Sequence, residues 1–173
     1  IFDHNQAKDQ GGAIHNDGGG WGRGDLHIDN ATFENNGAAW GGAINNRGTC
    51  NINSTAFLSN QPNYYNGGAI DNIGVCTVQN SDFLFNSARQ GGAIHQAHTG
   101  DLYISSTAFG NNTAQWSAQD SRGGAINIEG GTLTINWQVG FKGNTAEVRQ
   151  SALPCPYLTA AAGMLLVRSC RMQ

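Results

Sequence analysis

The sequence predicts an all-β fold, a parallel β-helix (solenoid) of about five to six coils. Three observations predict it. The tetrapeptide Gly-Gly-Ala-Ile occurs five times, the pattern Phe-x-x-Asn occurs six times and alternates with it, and a short segment of alternating apolar and polar residues lies between them. One such unit cannot bury its own apolar face, whereas stacked copies share a continuous core.

Gly-Gly-Ala-Ile marks one corner and one face of each coil. Its glycines let the backbone bend closely at a corner. Its isoleucines are expected to stack in an aliphatic column made of Ile14, Ile44, Ile70, Ile94 and Ile126. The outward neighbours of these isoleucines then form a polar row of His15, Asn45, Asp71, His95 and Asn127.

Phe-x-x-Asn predicts a second column and a hydrogen-bonded ladder. Its phenylalanines that should stack inside the solenoid are Phe33, Phe57, Phe83, Phe109 and Phe141. Its asparagines recur at one place in every coil, where stacked amides can hydrogen-bond along the axis and to turn backbone. Asn16, Asn46 and Asn72 form a second amide series, which Gln96 continues.

The third element is a strand after a glycine turn, because apolar and polar residues alternate with period two. Its inward pairs are Leu26/Ile28, Cys50/Ile52, Cys76/Val78, Leu102/Ile104 and Leu133/Ile135. Cys50 and Cys76 thus occupy equivalent inward positions, either as a buried thiol stack or as a disulfide. The redox state of Cys155 and Cys170 is equally open.

The repeats define a domain at 1–148, and 149–173 is a divergent tail. Another Gly-Gly-Ala-Ile is due after Asn144 but does not occur. Solenoids need capped ends, so 159–167 is one candidate for a short capping helix. A non-native tail, from cloning or a change of reading frame, is the other interpretation. The chain also opens in the middle of a repeat, as a processed or cloned fragment would.

At these motifs the chain resembles the repeats of the chlamydial polymorphic outer membrane proteins and related bacterial autotransporter passengers. The resemblance covers roughly 2–146. It implies a right-handed β-helix, a secreted or cell-surface location exposed at the outer membrane, and an adhesin-like binding role. It implies no catalytic residues. The alternative is a carbohydrate-active enzyme of the β-helix type, a polysaccharide lyase or hydrolase, which would need convergent carboxylates.

Composition narrows the partners and cofactors. The formal net charge is −3 and no Lys/Arg run occurs, so nucleic acid is an unfavoured partner. The longest apolar stretch, 158–167, is too short to span a bilayer, so this fragment is not expected to insert into a membrane. No pair of cysteines has C-x-x-C spacing, and neither a metal nor another cofactor is expected.

Two groups of residues are candidates for a site. Asp71 and His95 are weak catalytic candidates, since a His beside a carboxylate can form a general base, but a solvent-facing polar row is the favoured interpretation. Aromatic residues in the loops before Gly-Gly-Ala-Ile are the ligand-binding candidates: Trp40, Tyr64, Tyr65 and Trp116. Such an edge suits a glycan or a partner protein. The alternative is that each ring folds over its own loop and shields the core.

Overall fold

The computed structural model describes residues 1–18, 24–115 and 121–146. This part is a parallel β-solenoid that contains strands and no helix, which confirms the predicted fold class. The proposed capping helix and the rest of 147–173 lie outside the described residues, and the boundary at 148 stays a prediction. No helix in the described part could cross a membrane.

Every coil adds one strand to each of three main sheets. The phenylalanine sheet contains β1 (Phe2–Asp3), β4 (Thr32–Glu34), β7 (Ala56–Leu58), β10 (Asp82–Leu84), β14 (Ala108–Gly110) and β18 (Gly140–Lys142). The isoleucine sheet contains β2 (Ile14–Asn16), β5 (Ile44–Asn46), β8 (Ile70–Asn72), β12 (Ile94–Gln96) and β16 (Ile126–Ile128).

The third main sheet has the longest strands, and a small sheet accompanies it. The long-strand sheet contains β3 (Asp25–Asp29), β6 (Thr49–Asn53), β9 (Val75–Gln79), β13 (Asp101–Ser105) and β17 (Thr132–Ile135). The small sheet contains β11 (Ser87–Ala88), β15 (Thr113–Ala114) and β19 (Thr145–Ala146). The solenoid makes about four turns, slightly fewer than the five to six coils expected. Five copies of Gly-Gly-Ala-Ile enclose only four complete turns, so counting motif copies overestimates the number of turns.

Equivalent residues of successive coils pair in register throughout. Phe57 lies opposite Phe33 and Phe83, and Ile70 lies opposite Ile44 and Ile94. Repeat spacings vary in the sequence, but the strand motifs still align, so the insertions are accommodated between strands. Parallel pairing of identical motifs therefore places like side chains in columns along the axis.

The core contains the predicted aromatic column. Successive phenylalanine rings from Phe2 to Phe141 stack with centroids 4.5–5.0 Å apart and planes within 3–10° of parallel. The central rings of this column are fully buried, as are the cysteines and aliphatic residues of the long-strand sheet's middle strands. The assignment of inward and outward faces from period-two alternation is thus confirmed.

The asparagines of Phe-x-x-Asn form the predicted buried ladder. Asn86 Nδ2 donates to the carbonyl oxygen of Phe57 at 2.9 Å and to Asn112 Oδ1 at 3.0 Å. Its own Oδ1 accepts from the backbone N–H and the amide of Asn60, at 2.9 and 3.0 Å. Each central asparagine thus hydrogen-bonds both neighbouring coils, and the turn backbone is satisfied without water.

The two glycines of Gly-Gly-Ala-Ile are needed for different reasons. Gly41 has a φ of +65°, and a Cβ there would overlap the carbonyl oxygen of Ile44. Gly42 has ordinary backbone angles, but a Cβ there would overlap the carbonyl oxygen of Gly68 in the next coil. The first glycine therefore permits the turn, and the second permits close stacking of coils.

The cysteine alternatives are resolved in favour of thiols. Cys50 and Cys76 are paired in register, buried and free. The hydrogen bond to Cys50, together with burial, raises the pKa of Cys76 well above its usual range. The two thiols therefore act as small core side chains. Cys155 and Cys170 lie outside the described residues.

Candidate functional site

The outward middle residues of the isoleucine-sheet strands form one hydrogen-bonded row. His15 Nδ1 lies 3.0 Å from Asn45 Oδ1, and Asn45 Nδ2 donates to Asp71 Oδ2 at 2.8 Å. His95 Nδ1 lies 2.6 Å from Asp71 Oδ1. The coil step thus brings Asp71 and His95 together as the sequence predicted, and the Asp71 carboxylate accepts from both directions along the axis.

The expectation that this row faces solvent is wrong for its central members. His95 is 4% exposed and Asp71 is 3% exposed. Alternation along a strand shows which face of the sheet a side chain occupies, but it does not show how high the flanking loops rise. Here Trp40 and Asn66 on one side of the row, and Ile73 and Glu129 on the other, line a cleft together with Asp71 and His95. The row therefore forms the floor of this cleft.

His95 is held between two carboxylates. Its Nδ1 contacts Asp71, and its Nε2 lies 3.4 Å from Glu129 Oε1. Burial opposes protonation of His95, but the hydrogen bonds to Asp71 and Glu129 outweigh it and raise its pKa to about 9. The hydrogen bond to His95 in turn lowers the pKa of Glu129. His95 is therefore an imidazolium at neutral pH, and an imidazolium cannot accept a proton as a general base.

Two of the predicted aromatic residues form a stacked pair across adjacent coils. The rings of Trp40 and Tyr65 have centroids 4.4 Å apart and planes within 6°. Tyr64 is tilted by 55° against Tyr65, with centroids 6.4 Å apart. Trp40 is half-buried, whereas Tyr65 and Tyr64 are exposed. Trp116 lies outside the described residues.

The aromatic residue Trp40 and the pair Asp71–His95 line the same cleft, which has a volume of about 280 Å³. From the sequence, the aromatic loop residues and the polar row were alternative candidates for the site. The structure places Trp40 and the row in one cleft. The full lining consists of Gln10, Trp40, Asn45, Arg47, Asn66, Asp71, Ile73, His95, Ala97 and Glu129. We refer to this cleft as the axial groove.

The walls of the axial groove are two further columns of the repeat. One wall consists of residues immediately before the glycine pair, with Gln10 bridged to Trp40 through the backbone. The other wall consists of the residues three positions after the isoleucine in four of the five strands, namely Arg47, Ile73, Ala97 and Glu129; Asp17 holds this position in the first strand and is not among the lining residues. In this second wall, the backbone N–H of each residue donates to the carbonyl oxygen of the last residue of the isoleucine-sheet strand in the preceding coil, as Glu129 donates to Gln96.

Sequence reasoning missed this second wall, including both of its charged residues. Arg47 and Glu129 belong to no repeated motif, because the side chain at their position differs in every coil. Their alignment could have been predicted, because both lie three positions after the Ile of Gly-Gly-Ala-Ile and therefore stack in one column along the axis. Within the described part of the chain, no cluster of His, Cys, Asp and Glu has the arrangement of a metal site.

The fold and its groove define a class, the parallel β-solenoids whose repeats stack a uniform core beneath a variable outer surface. Comparison with known families specifies the repeat. The family model of the Chlamydia polymorphic membrane protein repeat matches residues 1–17 and 30–47. Each matched segment contains one Phe-x-x-Asn and one Gly-Gly-Ala-Ile, so the resemblance to this repeat is confirmed at these two segments. No curated protein and no solved structure matched the chain.

Proposed function

We propose that the chain is part of a surface-exposed, adhesin-like passenger that binds an extended glycan in the axial groove. The observation that carries the proposal is the ring of Trp40, which stacks on Tyr65 and lines a groove whose other lining is mostly amide and charged side chains. Aromatic faces pack on the apolar faces of sugar rings, and amides hydrogen-bond their hydroxyls. Repeats of a polymorphic membrane protein support an outer-membrane or cell-surface location.

The direction of the groove supports an extended ligand. Its floor follows the solenoid axis, and parallel strands are spaced ~4.8 Å apart, so the five strands of the isoleucine sheet span roughly 19 Å. That length suits several sugar units in a row. A partner protein is the less favoured ligand, because the buried centre of a protein interface is depleted of charged residues.

The enzyme alternative requires more than this groove offers. Glycoside hydrolases use one carboxylic acid and one carboxylate that both reach the scissile bond. Asp71 is almost completely buried and its two oxygens are occupied by Asn45 and His95. Glu129 is partly exposed, but it is paired with His95. The carboxylates of the groove are therefore engaged in holding the floor together.

The test is binding to an oligosaccharide array by the wild-type chain and by a Trp40→Ala, Tyr65→Ala double variant. The double variant should lose about tenfold or more in affinity while retaining its circular dichroism spectrum. Tyr103→Ala is the matched control, because Tyr103 is an exposed aromatic residue, 39% accessible, on the long-strand sheet. Its affinity should be unchanged.

Three outcomes would contradict the proposal. If Tyr103→Ala weakened binding as much as the double variant, the groove would not be the binding surface. If the chain bound only proteins on a parallel protein array, its ligand would not be a glycan. If the bound oligosaccharides were cleaved, and a folded Asp71→Asn, His95→Gln variant bound them without cleavage, the enzyme alternative would be the better one.

A further inference from the structure

One coil of the axial groove differs from the others in the chemistry it offers. In the coil of β5, Trp40 lines one wall, Asn45 lies on the floor and Arg47 lines the opposite wall. The following coil has Asn66, Asp71 and Ile73 at the same three places. The coil of β5 is therefore the place where an aromatic ring and a guanidinium border the same length of groove, above a floor formed by the buried Asn45.

Arg47 forms no ion pair with the other charged residues that line the groove, and Asp17, which holds the same position one coil earlier, is not among the lining residues. The Asp71 carboxylate and the His95 imidazolium offset each other on the floor. Glu129 is engaged by His95 and His98, at 3.4 and 3.5 Å, and Arg122 also acts on its charge. Arg47 is exposed and forms no ion pair with any residue of the described part of the chain. A ligand anion would therefore find its counter-charge at this wall.

Resting on the proposed glycan-binding function, we propose that the glycan carries an anionic substituent, a carboxylate or a sulfate, and that this group binds Arg47 while the same sugar ring packs on Trp40. The guanidinium presents planar, forked donors that match carboxylate and sulfate oxygens, and it stays charged at any physiological pH. Asn45 separates the two walls within one coil, so a single sugar unit can contact both.

The experiment uses oligosaccharides in matched pairs that differ only in charge: uronate-containing chains with their carboxyl-reduced forms, and sulfated chains with their desulfated forms. Affinities are measured for the wild-type chain, Arg47→Gln, Arg47→Lys and the control Lys142→Gln. Lys142 is an exposed cation on β18, away from the groove. Substitution there removes the same net charge without touching the proposed subsite.

The anionic member of a pair should bind the wild-type chain about tenfold more tightly than its neutral counterpart, and added salt should reduce this difference. Arg47→Gln should abolish the preference for the anionic member, whereas Arg47→Lys should retain part of it, since Lys keeps the charge but not the forked donors. Lys142→Gln should behave as wild type. Whichever pair shows the effect identifies the anion as carboxylate or sulfate.

The inference and the proposed function fail in distinguishable ways. Equal binding of both members, still dependent on Trp40, would overturn the anionic subsite and leave glycan binding in place. A preference that survives in Arg47→Gln, or that Lys142→Gln removes equally, would also overturn the assignment to Arg47. Absence of binding by every pair would overturn both proposals together.

Discussion

The second variable residue of Phe-x-x-Asn has a left-handed backbone in every coil. These residues are His4, Asn35, Ser59, Phe85, Asn111 and Gly143, with φ between +52° and +66°. Asn and Gly tolerate this region readily, whereas a bulky side chain there is strained. Phe85 is the outlier of the series, and its ring is 59% exposed, so core packing does not compensate for the strain.

Phe85→Asn should therefore stabilise the protein by about 1 kcal/mol, since it relieves a left-handed bulky residue and loses little burial. Urea unfolding of the variant and wild type measures the difference. The reverse change in the next coil, Asn111→Phe, should cost a similar amount, because Asn111 has a φ of +53°. A destabilised Phe85→Asn protein would show that the exposed ring makes a stabilising contact.

Asn86→Ala should cost about 3 kcal/mol or somewhat less. The substitution removes four hydrogen bonds and leaves the Phe57 carbonyl and the Asn60 N–H buried without these partners, each at a cost of ~1–3 kcal/mol before relaxation. Asn53→Ala is the control, because Asn53 makes the same kind of side-chain contacts, to Asp29 at 2.7 Å and to Asn80 at 2.8 Å, on the exposed surface and without a left-handed backbone. A loss above a kilocalorie in the control would show that burial is not what makes the ladder important.

At the scale of elements, the phenylalanine sheet depends on its stacked rings. Phe57 is fully buried between Phe33 and Phe83, with centroids 5.0 and 4.6 Å away. Phe57→Ala should destabilise the fold by ~3–5 kcal/mol, because it opens a cavity in a core that cannot collapse without shifting two coils. Chemical denaturation tests this value. Phe85→Ala, the same truncation on the exposed face, should cost nothing, and a loss below a kilocalorie for Phe57→Ala would mean that the column contributes little.

The strands, columns and ladders were predictable because they depend on periodicity. Alternation fixed the inward side of Cys50 and Ile52, and the constant order of the motifs fixed which strands pair. The burial of His95 was not predictable in this way, because it depends on side chains that differ in each coil. The same applies to Arg47 and Glu129. Their alignment follows from the repeat, but the groove that they border follows from the shapes of non-repeating residues.

At the scale of the whole molecule, the side-chain hydrogen bonds of the polar rows point in one direction along the solenoid axis, with one exception. In both amide ladders each side chain donates to the next coil toward the C-terminus, as Asn46 does to Asn72 and Asn60 does to Asn86. In the groove the direction reverses at Asp71, which accepts from both Asn45 and His95. A buried carboxylate that accepts hydrogen bonds from both directions along the axis is costly unless a cation lies nearby. His95 supplies that cation, so the stability of the solenoid is linked to the protonation of one side chain.

Stability should therefore fall as the pH rises above neutral. The pKa of His95 in the folded chain is about 9, above its ordinary value of 6.5. Between these values the folded state binds one proton more than the unfolded state, so the free energy of unfolding decreases with pH. From pH 6.5 to pH 8 the loss should be about 1.5 kcal/mol. Urea denaturation at intervals across this range measures it.

His95→Gln isolates the effect. Its glutamine can still hydrogen-bond Asp71 but does not titrate, so the variant should be less stable than wild type at pH 6.5 and show a nearly flat profile to pH 8. The pH range ends at 8 because the pKa of the buried Cys76 thiol is also raised in the folded chain. At higher pH the unfolded chain gains stability by ionising this thiol, which adds a second loss of folding stability. A profile as steep in His95→Gln as in wild type would place the linked proton elsewhere. A flat wild-type profile would show that His95 is neutral in the folded chain and would restore it as a candidate base.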